Sequence, residues 1–90
     1  MEKVALRELL AAASDGVDGS TFTFSDKQEA ALLVAVDGTL LTVTRVRRVT
    51  LAEHHLVVEA DREILYVEGT TVAGVRLKAA PSGAGFLNKG

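Results

Sequence analysis

Ninety residues amount to a single domain, and the lack of any cysteine excludes disulfides and thiolate metal sites. A formal net charge of -2 leaves no global field to draw the chain to nucleic acid or to an anionic membrane, and no apolar run approaches the ~20 residues of a membrane span. Hydrophobic residues reach 48% while aromatics stop at three Phe and one Tyr, so Val, Leu, Ile and Ala must build the core.

The N-terminal stretch MEKVALRELLAAAS predicts a helix over residues 2–13. Ala and Leu dominate it, and Leu6, Leu9, Leu10 and Ala13 recur at the spacing of one helical face. Charges spaced through the segment are unlike the continuous apolar core of a signal peptide. Gly16 is placed to supply a left-handed helix stop. The apolar stripe fits a helix lying on the open face of a sheet, or one that docks on a partner. SDGVDGS then reads as a linker, and TFTF as a short strand over 21–24 that puts Phe22 and Phe24 on one side. SDKQEAA reads as a turn into the next strand, with a single capped helical turn as the alternative.

Two hairpins follow. Asp37-Gly38 lies between strands expected at 30–36 and 39–51. A two-residue turn there sets Val36 opposite Thr39, Val34 opposite Leu41 and Leu32 opposite Val43. Arg45 and Arg47 share parity with Val43, Val49 and Leu51, so the second strand must bend or carry a bulge near 45–48, or break there. In the second hairpin, strands over 54–60 and 63–68 turn at Asp61-Arg62. This sets Val58 opposite Leu65 and Leu56 opposite Val67 on one face, with Val57 opposite Tyr66 and His55 opposite Glu68 on the other. A last strand spans 71–78, and 80–90 form a Pro/Gly-rich tail bearing Phe86-Leu87.

The adjacent histidines, His54 and His55, point to opposite faces of a strand and cannot converge on one ion. His55 and Glu68 remain candidate polar contacts through a pH-sensitive cross-strand pair. No catalytic, cofactor-binding or metal-binding residues emerge. DGVDGS lacks the lysine of a phosphate loop and the ligand pattern of a calcium loop, and no serine sits in a nucleophile frame. Arg45, Arg47 and Arg48 form the candidate anion-binding cluster. They lack an aromatic platform for bases, and a solvated strand edge that deters edge-to-edge aggregation is the better account of them.

Within YVEGTTV, the residues Val67, Gly69 and Val72 resemble the second motif of Sm-like proteins. Glu68 stands where that family has a basic residue, and Thr70 where it has Asn or Asp. The resemblance implies a small bent barrel, while the residues that would contact RNA are replaced.

These readings converge on an α+β, mainly antiparallel β fold, with the N-terminal helix packed on a strongly bent sheet of five or six strands or a small open barrel. Leu33, Leu40, Val57, Ile64 and Tyr66 make the reverse faces of both hairpins apolar, and such faces need cover. The expected function is that of a non-enzymatic, cytoplasmic homo-oligomer serving as an adaptor, scaffold or regulatory module. A further protein partner would use the helix or the 80–90 tail. The alternatives are a barrel binding single-stranded nucleic acid through the three arginines, and a small-ligand binder at a subunit interface.

Overall fold

The computed structural model describes residues 1–79, so the 80–90 tail with its Phe86-Leu87 pair lies outside the described residues. One helix, α1 (Lys3–Ala13), precedes eight strands: β1 (Gly16–Asp18), β2 (Thr21–Thr23), β3 (Gln28–Val36), β4 (Thr39–Val43), β5 (Val46–Leu51), β6 (His55–Ala60), β7 (Ile64–Glu68) and β8 (Val72–Ala79). A 3-10 turn over Gly69–Thr71 separates the last two. The strands form two antiparallel sheets, ordered β1-β2-β5-β6-β7 and β4-β3-β8. The fold is mainly antiparallel β, strongly bent, and not closed into a barrel.

Leu6 and Leu10 lie one helical turn apart and are both fully buried, so α1 contributes to the core rather than covering it loosely. They join Phe22, Leu32, Val49, Leu56 and Val58 in one cluster drawn from both sheets. The helix stops without a left-handed residue: Ser14 is already extended, and its N–H bonds Leu10 O at 2.9 Å. Gly16 therefore opens β1 instead of ending α1. Within the expected linker, β1 pairs with β2 around Gly19, whose φ of 63° suits glycine. Arg7 ties α1 to this turn, donating to Gly19 O at 2.8 Å with its guanidinium 5.6 Å from the Phe22 ring centre. Asp26 and Lys27 form a turn that leads directly into β3.

The strand expected over 39–51 is divided. β4 belongs to the three-stranded sheet and β5 to the five-stranded one, with Thr44 and Arg45 between them. Arg45 adopts a φ of 56°, which ends the ladder and turns the chain from one sheet to the other. A second irregularity follows at once. Val46 pairs with Ala60 and Arg48 with Glu59, leaving Arg47 as an extra residue on β5. The bulge resolves the parity conflict in the sequence: Val46 and Val49 are an odd number apart, yet both are buried.

Candidate interaction surface

The β3–β4 hairpin turns through Asp37 and Gly38, with φ of 50° and 79°, the two left-handed residues of a type I′ turn. Its pairs include Val36 with Thr39, Val34 with Leu41 and Leu32 with Val43, the register that a two-residue turn dictates. The β6–β7 hairpin pairs Val58 with Leu65, Leu56 with Val67, Val57 with Tyr66 and His55 with Glu68. Alternation along these strands assigns the outward side chains. Leu33 and Leu40 face outward on the three-stranded sheet, while Val57, Ile64 and Tyr66 face outward on the five-stranded sheet.

The five candidate surface residues thus fall on two sheets rather than one patch. Leu33 is half-buried, with its Cδ1 3.8 Å from where a Cβ on Gly74 would stand. Leu40 sits beside the turn and is 57% exposed. Val57 is half-buried beneath its neighbours, but Ile64 and Tyr66 remain 60% and 73% exposed. Both belong to β7, the last strand of its sheet.

Val36 and Leu41 alternate onto the face shared with Leu32 and Val34, and that face extends beyond the core. Both are exposed, and with Val43, Leu65 and Tyr66 they line an open, mostly apolar groove of about 360 Å³ between β4 and β7. Nothing local in the sequence marks this groove. It forms only where the folded chain brings β3 and β4 near β7.

Opposite His55, Glu68 forms no ion pair with it among the described residues. The imidazole instead packs against Tyr66, with ring centres 5.9 Å apart and planes tilted by 43°. His54 precedes β6, in the turn between β5 and β6 rather than in the strand expected from residue 54, and lies exposed 4.0 Å from Glu53. Among the described residues there is no group of three histidine or carboxylate side chains that could hold a metal ion.

The arginine cluster is internally neutralised. Arg45 reaches Asp61 at 3.5 Å, Arg47 bridges Asp26 and Asp61, and Arg48 lies 3.7 Å from Glu59. Arg45 and Arg47 share Asp61 because the bulge swings Arg47 toward the β6–β7 turn, while Arg48 stays on the outer face. Each guanidinium already has a carboxylate partner, so the local field available to an approaching phosphate is small. Sequence reasoning did not find Asp26, which reaches Arg47 only because β2 pairs with β5.

One carboxylate has a shifted titration. Asp15 accepts the Ser25 backbone N–H at 2.6 Å, and this bond, aided by the Ser25 hydroxyl and Lys27, holds its pKa below the usual aspartate value. The contact clamps the end of α1 to the chain leaving β2.

No helix among the described residues is long and apolar enough to cross a membrane. No family model matches the chain, and neither a curated protein nor a solved structure is similar to it.

Proposed function

We propose that this chain is a non-enzymatic, cytoplasmic β domain that self-associates and acts as an adaptor, scaffold or regulatory binding module. The observation that carries the reading is the exposure of Ile64 and Tyr66, two residues apart on one face of an edge strand. Single exposed apolar residues are ordinary, but an apolar pair on an unprotected strand edge is a template for association. A mostly apolar groove lined by Val36, Leu41, Leu65 and Val67 runs along the other face of the same strand. The three arginines support this reading in a different way, since their carboxylate partners leave little charge for an anionic ligand.

The test is the solution mass as a function of concentration, by light scattering or sedimentation equilibrium. The wild-type mass should rise above that of one chain as concentration increases. A double variant, Ile64→Lys with Tyr66→Lys, should stay at the mass of one chain with an unchanged far-ultraviolet spectrum, because exposed positions cost the fold little. A wild-type chain that remains solitary at about millimolar concentration overturns the reading, since even a weak specific contact forms there.

A further inference from the structure

β7 ends the five-stranded sheet, so one side of its backbone has no strand partner. At the start of the hairpin, the Ala60 N–H donates to Glu63 O at 2.9 Å, which makes these two residues a hydrogen-bonded pair. Such pairs alternate with non-hydrogen-bonded ones along an antiparallel ladder. Leu65 and Val67 therefore direct their backbone groups toward β6, and Ile64, Tyr66 and Glu68 direct theirs to the open edge. The edge is lightly protected: Ile-Leu-Tyr-Val-Glu contains no proline and no lysine, its one charge is Glu68 at the end, and its pairing with β6 carries no bulge.

We infer that β7 pairs antiparallel with β7 of a second copy about a two-fold axis at Leu65, an inference that rests on the self-association proposed above and specifies its geometry. Residues opposite each other in a ladder share a face, so the axis must fall on a residue and not between two. Two registers keep most of β7 paired and set edge-directed residues against each other. With the axis at Tyr66, Ile64 would meet the partner's Glu68, an apolar side chain against a charge. With the axis at Leu65, Ile64 meets the partner's Tyr66, and Arg62, in the turn just before β7, comes opposite the partner's Glu68, each pair occurring twice by symmetry; Glu63 then lies against the partner's Val67, so it is the edge-directed pairs that separate the two registers. Pairs of β-branched with aromatic residues, and of opposite charges, favour a ladder, whereas the Ile–Glu pair adds nothing. Arg62 and Glu68 are exposed and have no ion pair among the described residues, although Arg45, Arg47 and Arg48 all do. Charge complementarity thus selects the axis at Leu65. So short a contact gives a weak dimer, with a dissociation constant of about 10 µM or above.

The charge pair supplies the experiment. Arg62→Glu and Glu68→Arg should each weaken association about fivefold, from two symmetry-related pairs, and the double exchange should restore the wild-type constant. Because the chain has no cysteine, crosslinking gives an independent readout. Leu65 would face the partner's Leu65 as a non-hydrogen-bonded pair, at a Cα separation of about 4.5 Å that suits a disulfide. On mild oxidation Leu65→Cys should link into covalent dimers more completely than Tyr66→Cys. Preferential linking of Tyr66→Cys overturns the register, as does a double exchange that fails to restore binding. A dimer indifferent to both charge reversals overturns the β7 interface while self-association stands. A chain of monomer mass at every concentration removes both.

Discussion

Replacing Leu10 by alanine asks whether α1 belongs to the core or is held in reserve for a partner. Leu10 is fully buried and shares its surroundings with Ala30 and Val75 of the three-stranded sheet and Val49 of the five-stranded one. The change removes roughly three methylene equivalents, or about 2.4 kcal/mol of transfer free energy at about 0.8 kcal/mol each. Strands on two sides prevent the site from collapsing fully, and the residual cavity raises the loss to about 3–4 kcal/mol. A domain of this size has about 4–12 kcal/mol in total, so the variant should lose a large part of its stability. Val4, 64% exposed on the same helix, is the control, and Val4→Ala should change stability by less than about 0.5 kcal/mol. Urea denaturation followed by circular dichroism measures both, provided the slopes agree with the wild type. A loss below about 1 kcal/mol for Leu10→Ala, or one no larger than for Val4→Ala, would refute the seating of the helix and return it to the role of a docking element.

Substitutions at three other positions probe the backbone and the one perturbed carboxylate. Arg45 holds a left-handed φ of 56°, so Arg45→Gly should stabilise the fold by about 0.5–1 kcal/mol even after losing an exposed ion pair, while Arg45→Val should destabilise it by more than about 1 kcal/mol. Equal melting curves for the two variants would count against the turn geometry. Gly38, with φ of 79°, predicts that Gly38→Ala costs about 1 kcal/mol by strain alone, because no neighbour lies within 4 Å of the added carbon. For Asp15 the folded pKa is depressed, so its contribution is present above the unfolded value near 3.9 and is lost as pH falls through the lower folded value. The urea midpoints of wild type and Asp15→Asn should therefore differ at pH 6 and converge toward pH 2; a gap that is constant with pH contradicts this.

Much of the local structure is legible in the residues themselves. Asp37-Gly38 announces a type I′ turn, and a two-residue turn leaves only one register for the flanking strands. The β6–β7 pairing follows from the same constraint combined with the apolar alternation of Leu56, Val58, Leu65 and Val67. The helix is legible from Leu6 and Leu10, whose one-turn spacing demands a single buried face. For the candidate surface, alternation alone placed Ile64 and Tyr66 on an outward face, and their exposure follows from β7 being an edge.

Tertiary pairing decided the rest. No local signal in Gly-Val-Asp specifies a strand; β1 exists because Phe22 must be buried against Val49, which brings β2 to β5 and offers β1 an edge. Pattern reasoning located the disturbance among the arginines and favoured one strand, bent or bulged there, over a break. All three occur within a few residues, because the chain must leave one sheet at Arg45 and restore its inward parity at Arg47 to enter the other. The neutralisation of the arginines is likewise tertiary, since Asp26 and Asp61 are remote in sequence and meet Arg47 only because β2 and β6 flank β5 in the five-stranded sheet. Turn chemistry and side-chain alternation act over a few residues and are therefore written in the sequence. Which strand becomes an edge, and which charge finds a partner, depends on contacts between distant segments whose free energy appears only when the chain is folded.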